Sequence, residues 1–158
     1  MNRIFVSMHE NLEEPKWFSN VEGFVNKVLS LLKYDSQEIS ILLCNDECIR
    51  ELNKAYRNID SATDVLSFES GDEYEDEEGK WFCAGDIIIS LDTLPINAEY
   101  FNEDTNSEIK RLLVHGLLHL NGYDHGEEHI EKGQEPICEM LVLQENLLNE
   151  LKDEIIIK

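Results

Sequence analysis

The sequence TNSEIKRLLVHGLLHLNGYDH of residues 105–125 predicts a helix that the rest of the chain must surround. Its first four residues resemble a capping box, with Thr105 as the N-cap and Glu108 reaching back to it. Apolar side chains then follow on most sides of the helix: Ile109, Leu112, Leu113, Val114, Leu117 and Leu118. A helix that is apolar all round is a buried helix, so we expect this one to lie in the core.

The same stretch carries three of the five histidines of the chain. His115 and His119 are four residues apart, so on a helix their imidazoles project from the same side. Gly122 predicts a left-handed turn that ends the helix and could bring His125 back toward them. Neutral imidazole is a good zinc ligand, and three protein ligands leave a fourth position for water. One histidine on an apolar helix is usually a core residue with a hydrogen bond, and a lone His-x-x-x-His pair is weak evidence, but the added Gly122 and His125 favour one catalytic Zn²⁺.

Length and composition indicate one soluble globular domain. A chain of 158 residues, 42% of them apolar and 30% charged, is long enough to bury about 70% of its unfolded surface. No run approaches the roughly 18 apolar residues of a membrane span, and the first ten residues lack the apolar core of a signal peptide. We therefore expect a cytoplasmic protein without a membrane partner.

The four cysteines, Cys44, Cys48, Cys83 and Cys138, form no Cys-x-x-Cys pair and no disulfide framework. We expect them to be buried, reduced thiols.

The net charge of −21 argues against tight nonspecific binding to nucleic acid, and no DNA partner is expected. Part of the excess is local, because residues 69–79 contain seven acidic side chains. Self-repulsion and hydration predict a solvated loop there. A calcium site is an alternative, although the spacing does not match an EF-hand loop.

The remaining periodicities predict an alternating α/β chain. Strands are expected at 3–8 and 38–44, and the helix between them follows Pro15, with Trp17, Val21, Phe24, Val28 and Leu31 at helical spacing. A second helix, capped by Asn45 or Asp46, should bury Ile49, Leu52 and Tyr56. Residues 65–68 and 86–90 predict an antiparallel hairpin around the acidic loop. Further helices are expected near 92–102 and from Pro136 to Leu151.

The histidine spacing is also that of the metzincin peptidases. Those enzymes carry a glutamate one residue after the first histidine, where it acts as general base on the zinc-bound water. The chain has Gly116 at this position. A zinc peptidase therefore remains only as an alternative.

Three cations lie at helical spacing before the first predicted hairpin strand: Arg50, Lys54 and Arg57. Arginine binds phosphate through bidentate hydrogen bonds and lysine binds it as a point charge, so this stripe could contact a substrate phosphate. The alternative is a solvent-facing stripe paired with acids such as Asp46 and Glu47. The residues alone leave both open.

Four blocks together resemble the YbeY family of bacterial rRNA-maturation endoribonucleases. They are LNKAYR at 52–57, TDVLSF at 63–68, GDIIIS at 85–90 and HGLLHLNGYDH at 115–125, followed by Glu139-Met and Gln144-Glu. The blocks keep the family's order, and the resemblance covers most of the chain. The acidic stretch at 69–79 is more acidic than is usual for the family.

The resemblance implies a single α+β domain, with a mixed sheet of about four strands, helices packed on it and a metal cleft. It implies a metal-dependent endoribonuclease for single-stranded RNA that matures the 3′ end of 16S rRNA and serves ribosome quality control. His115, His119 and His125 match the family's zinc ligands, and Arg57 matches its functionally important arginine. Ribosomal proteins or a ribosomal subunit are the implied partners.

The chemistry of the residues and the family resemblance together lead to one mechanistic hypothesis, with His115 and Arg57 as catalytic residues. In this hypothesis the three histidines would hold a zinc ion that activates a water or the substrate 2′-hydroxyl, and Arg57 would hold the charge that grows on the scissile phosphate. Asp124 either orients His125 or is a turn residue. The general base is not identified, and His9 and His129 are expected on the surface. A noncatalytic ribosome-associated factor, with zinc holding the fold, is a further alternative.

Overall fold

The computed structural model describes residues 1–10, 12–123 and 138–158. Within these ranges the chain forms four strands and five helices. In chain order they are β1 (Arg3–Met8), α1 (Asn20–Leu31), β2 (Gln37–Cys44), α2 (Asp46–Arg57), β3 (Val65–Asp76), β4 (Gly79–Ser90), α3 (Thr93–Tyr100), α4 (Thr105–Leu120) and α5 (Glu139–Glu150).

The four strands form one mixed sheet in the order β1-β2-β4-β3. β1 and β2 run parallel, as do β2 and β4, whereas β3 and β4 are antiparallel. The expected α+β architecture, with a four-stranded mixed sheet and helices packed on it, is confirmed.

The larger core lies between one face of the sheet and the helices α1 and α4. Ile41 of β2 and Ile87 and Ile89 of β4 belong to it, together with the apolar side chains of α4. The six apolar side chains predicted to surround α4 are all 0% exposed, so the buried helix is confirmed. Neighbouring residues of a strand face opposite sides. Ile88 accordingly joins a smaller cluster beneath α2, with Leu66 and Ile49.

Gly116 lies where α4 packs closely against the sheet. A Cβ atom at this position would lie 3.0 Å from Cδ1 of Ile87, which is tighter than a normal contact. The position that carries the catalytic glutamate in metzincins is therefore a packing position against β4. A glutamate there would have to displace Ile87, which argues against the peptidase alternative.

The acidic stretch is a pair of strands, so the predicted loop is wrong. β3 continues to Asp76 and β4 begins at Gly79, which leaves a two-residue turn. Contacts with Arg3 of β1 stabilise the end of this hairpin. The Arg3 guanidinium lies 3.8 Å from the ring centre of Trp81 and forms ion pairs with Asp76 (2.7 Å) and Glu78 (2.8 Å). The acidic side chains are mostly exposed, as expected, but they project from an ordered hairpin.

Three helix predictions need correction. α1 begins at Asn20, not near Pro15, and Leu31 in its last turn is 43% exposed. Tyr56, predicted to be buried, is 70% exposed because the core beneath α2 ends before its last turn. The N-cap of α4 is Asp104 instead of Thr105, since the Asp104 carboxylate accepts a hydrogen bond from the Ser107 N–H at 2.7 Å.

Two further predictions are settled in part. α5 begins at Glu139, and the part of its predicted range at 136–137 lies outside the described residues. No disulfide joins the four cysteines, all of which lie within the described residues; Cys44 and Cys48 are buried, whereas Cys83 and Cys138 are only half-buried.

Candidate metal site

His115 and His119 face each other at the end of α4. Their Nε2 atoms are 3.1 Å apart, and their ring centres are separated by 4.6 Å. Two nitrogens bound to one tetrahedral zinc ion at about 2.0–2.1 Å lie about 3.3 Å apart. The pair therefore already has nearly the spacing that a shared cation requires, and both side chains are half-buried on a rigid helix.

Gly122 ends the helix as predicted. Its φ is +91°, its N–H donates to the His119 carbonyl at 3.1 Å, and the Tyr123 N–H donates to the Leu118 carbonyl at 3.0 Å. These two bonds define a Schellman motif, in which the chain turns back just after the last helical turn.

The third predicted ligand, His125, lies outside the described residues, as do Asp124 and His129. Within residues 1–10, 12–123 and 138–158, no third His, Cys, Asp or Glu joins the pair in a three-ligand cluster. The His115–His119–His125 site and the role of Asp124 stay predictions.

Gln144 of α5 is a site residue to which the sequence reasoning gave no role. Its Oε1 accepts a hydrogen bond from Nδ1 of His115 at 2.8 Å, and its side chain is 0% exposed. A signal was present in the sequence. Met140, Gln144, Leu147 and Leu151 follow helical spacing, so Gln144 is a polar residue at a core position.

Arg57, at the end of α2, reaches the strand that adjoins α4. Its Nη2 donates to the Ser67 carbonyl at 2.7 Å, and the guanidinium lies 5.3 Å from the ring centre of Phe68. Ser67 pairs across the hairpin with Ile87, the residue against which Gly116 packs. Arg57 and the helix that carries His115 thus meet the sheet at the same cross-strand pair.

The other two cations of the stripe are exposed. Arg50 pairs with Asp60 at 2.7 Å, instead of with Asp46 or Glu47, and this bond holds the pKa of Asp60 below its ordinary value. Asp46 instead accepts a hydrogen bond from the Ser90 hydroxyl at 2.6 Å. The phosphate role of Arg50 and Lys54 stays a prediction.

A groove of about 560 Å³ opens beside Arg57, on the face of the sheet that carries α2. Its lining includes Ser40, Leu52, Tyr56, Phe68 and Asp86. The Tyr56 and Phe68 rings meet edge to face, with centres 5.5 Å apart. Burial raises the pKa of the Asp86 carboxyl, and the nearby Glu38 adds to the shift.

A polar network attaches α4 to the start of β3. Arg111 forms a bidentate ion pair with Glu108, at 2.8 and 2.7 Å, and its Nη2 lies 3.3 Å from Asp64. Asp64 also accepts a hydrogen bond from Asn97 of α3 at 3.0 Å. The Thr63-Asp64 block therefore has a structural role that its sequence did not reveal.

Fold and site together define a small α+β protein with two convergent imidazoles on a buried helix. The model of the family described as Endoribonuclease YbeY matches residues 5–152 of the chain. The chain belongs to this family, which confirms the resemblance and leaves the peptidase alternative without support. Within the described residues, no helix has the length and apolar character needed to cross a bilayer.

Individual relatives carry the same description as the family model. The Endoribonuclease YbeY of Treponema denticola is 55% identical over 134 residues, which cover 84% of this chain and 83% of that protein. The Endoribonuclease YbeY of Aquifex aeolicus is 37% identical over 150 residues, covering 95% and 92%. The solution structure of TM1509 from Thermotoga maritima is 27% identical, with a TM-score of 0.61, and covers 98% of this chain and 91% of its own.

Proposed function

We propose that this protein is a zinc-dependent endoribonuclease for single-stranded RNA that acts in the cytoplasm. Its proposed roles are rRNA processing, including maturation of the 16S rRNA 3′ end, and ribosome quality control. The observation that carries the proposal is the 3.1 Å approach of the His115 and His119 Nε2 atoms in a chain of this family.

His115, His119 and His125 would hold one Zn²⁺ ion. When bound, zinc supplies a Lewis acid that lowers the pKa of a coordinated oxygen and neutralises charge on the scissile phosphate. The buried helix fixes the first two imidazoles, so little reorganisation is required at the moment of reaction.

Arg57 would bind the scissile phosphate. A guanidinium carries five N–H donors, and the bond to the Ser67 carbonyl uses only one of them. That bond fixes the planar group at the edge of β3 while its exposed donors remain available to phosphate oxygens. Arg57 would stabilise the charge that grows there in the transition state.

Tyr56 supports the preference for single strands. Its ring is 70% exposed and braced by Phe68, next to Arg57. An unpaired base can stack on such a ring, whereas a base inside a duplex cannot reach it. Because α2 and α4 lie on opposite faces of the sheet, the strand would then pass from the tyrosine around the edge strand β3, where Arg57 lies, to reach the histidines.

The charge of −21 opposes the approach of a polyanion. The exposed acidic strands of the hairpin could contact a basic ribosomal protein, which would hold the enzyme close to rRNA. A ribosomal protein or subunit is therefore part of the proposal.

Purified protein should contain about one zinc per chain by elemental analysis and should cut a single-stranded RNA oligomer but not the same sequence in a duplex. Chelation should stop cleavage, and added zinc should restore it. Zinc-dependent folding without cleavage of any RNA would favour the noncatalytic factor. Undiminished cleavage by metal-free protein would reject metal catalysis.

A further inference from the structure

Gln144 is a buried amide in an apolar environment. It lies at 0% exposure between Met140 and Leu147, which are 1% and 5% exposed. Its Oε1 accepts the hydrogen bond from His115, but its Nε2 makes no hydrogen bond of normal geometry within the described residues, and the amide only partly offsets the rise that burial causes in the pKa of the Glu145 carboxyl. A buried donor without a partner is destabilising, whereas methionine or leucine would fill the space without that penalty. Core packing therefore does not explain why this position is a glutamine.

The bond to His115 does explain it. A neutral imidazole carries one N–H donor and one acceptor nitrogen, and the group bonded to one nitrogen decides which is which. A carbonyl oxygen at 2.8 Å from Nδ1 requires the proton on Nδ1. The lone pair then lies on Nε2, the atom 3.1 Å from Nε2 of His119.

We propose that Gln144 is a positioning residue that holds His115 in the tautomer able to bind the cation shared with His119. This inference rests on the proposed zinc site and extends it to α5, an element that supplies none of the three predicted ligands. The hydrogen bond spans 29 residues of sequence and joins the two helices at the site.

The orientation of the amide is part of this role. If its oxygen and nitrogen exchanged places, the amide N–H would face Nδ1 and the His115 proton would move to Nε2. That proton would occupy the direction in which the cation must bind. A carboxylate offers only acceptor oxygens, so Gln144→Glu should enforce the competent tautomer in either orientation.

Three variants separate positioning from packing. Gln144→Met keeps the volume and removes the acceptor, and Gln144→Glu keeps the acceptor. Leu147→Ala removes buried volume from the same helix but leaves the Gln144 acceptor in place. The zinc dissociation constant of each folded variant is measured by competition with a chromogenic chelator. We expect about 10–100-fold weaker zinc binding for Gln144→Met. Gln144→Glu should bind at least as tightly as wild type, and Leu147→Ala should keep the wild-type affinity despite a lower melting temperature.

Two results would overturn the inference. One is wild-type zinc affinity in Gln144→Met; the other is equal weakening in Gln144→Met and Leu147→Ala, which would show general loosening of α5. If wild-type protein itself bound no zinc, the proposed function would fail as well, so the two failures are distinguishable.

The tautomer gives a readout independent of metal. Nitrogen-15 chemical shifts of His115 in the metal-free protein should show protonated Nδ1 in wild type and in Gln144→Glu. Gln144→Met should show a mixture of tautomers. A wild-type ring protonated only at Nε2 would contradict the proposed role.

Discussion

The two helices that carry the candidate site residues, α4 and α2, differ in almost every physical respect. α4 is buried on most sides; close packing at Gly116 fixes the helix against β4, and the hydrogen bond to Gln144 fixes the ring of His115. α2 buries only one side, and Tyr56 and Arg57 lie on its exposed last turn. The buried helix suits a site that must be preorganised, and the exposed helix suits contacts with a large polymer that must enter and leave.

Removal of an α4 histidine should have the largest effect. His119→Ala takes one imidazole from the pair, so zinc should be lost and RNA cleavage should fall by at least about 1,000-fold, as expected when several kcal/mol of charge stabilisation disappear. Elemental analysis and a single-turnover assay on an RNA oligomer measure the two effects. His9→Ala is the matched control, because His9 lies in another part of the chain and is exposed, as predicted. Full activity of metal-free His119→Ala would contradict the role given to α4.

Arg57→Ala tests whether α2 contributes to chemistry. We expect normal zinc content and a loss of about 2–4 kcal/mol of transition-state stabilisation in kcat/KM, as for removal of one preorganised donor. Arg57→Lys keeps the charge but not the planar donors and should recover only part of the loss. Unchanged kinetics in Arg57→Ala would limit α2 to a structural role.

Gly116→Ala tests the rigidity of α4 without changing a ligand. The new Cβ would press against Ile87, so we expect a loss of about 1–3 kcal/mol in the free energy of unfolding. Gly23→Ala in α1 is the control, because no atom beyond its chain neighbours and its own helix backbone lies within 4 Å of the added Cβ. It should stabilise the protein by about 0.5–1 kcal/mol through helix propensity. Equal effects of the two substitutions in urea denaturation would show that the close contact carries no energy.

Tyr56→Ala should have a smaller and more specific effect. Loss of one stacking surface should raise KM for single-stranded RNA roughly tenfold with little change in kcat. Tyr56→Phe retains the ring and should behave like wild type. A fall in kcat at constant KM would place the tyrosine in the chemistry instead of in strand binding.

The smallest change is expected from Arg50→Gln. Arg50 is exposed and paired with Asp60, and such surface pairs contribute little to stability, so the melting temperature should not change measurably. RNA binding then decides between the two interpretations of the basic stripe. Weaker binding with a lower salt dependence would support a phosphate contact, and unchanged binding would leave only the ion pair.

The sequence predicted the buried helix well because its signal is local. The apolar side chains of α4 and the glycine that ends the helix are all read from one short segment, and the His115–His119 approach follows from helical spacing. The same reasoning failed at Tyr56, where apolar periodicity predicted burial. How far the hydrophobic core extends beneath a helix is a tertiary property that the helix sequence does not contain.

The prediction of a loop at residues 69–79 was wrong for a related reason. The acidic composition favours solvent exposure, and the side chains are indeed exposed. Whether the segment forms strands, however, depends on the cross-strand pair of Tyr74 and Trp81 and on the distant Arg3. Such long-range pairing overrides local propensity.

At the start of α4, two neighbouring residues can both cap a helix, and the observed bond selects Asp104 over Thr105.

The contacts of Arg3 with Trp81, Asp76 and Glu78 affect the order in which the sheet folds. Arg3 and Glu78 are separated by 75 residues, so their bond forms only after the chain has closed a loop of that length. The inner half of the hairpin can assemble from neighbouring residues, whereas the acidic end must wait for the amino-terminal strand to dock. During refolding this end would be the last part of the sheet to gain protection from proteases, and deletion of the first three residues would leave it the first part to open.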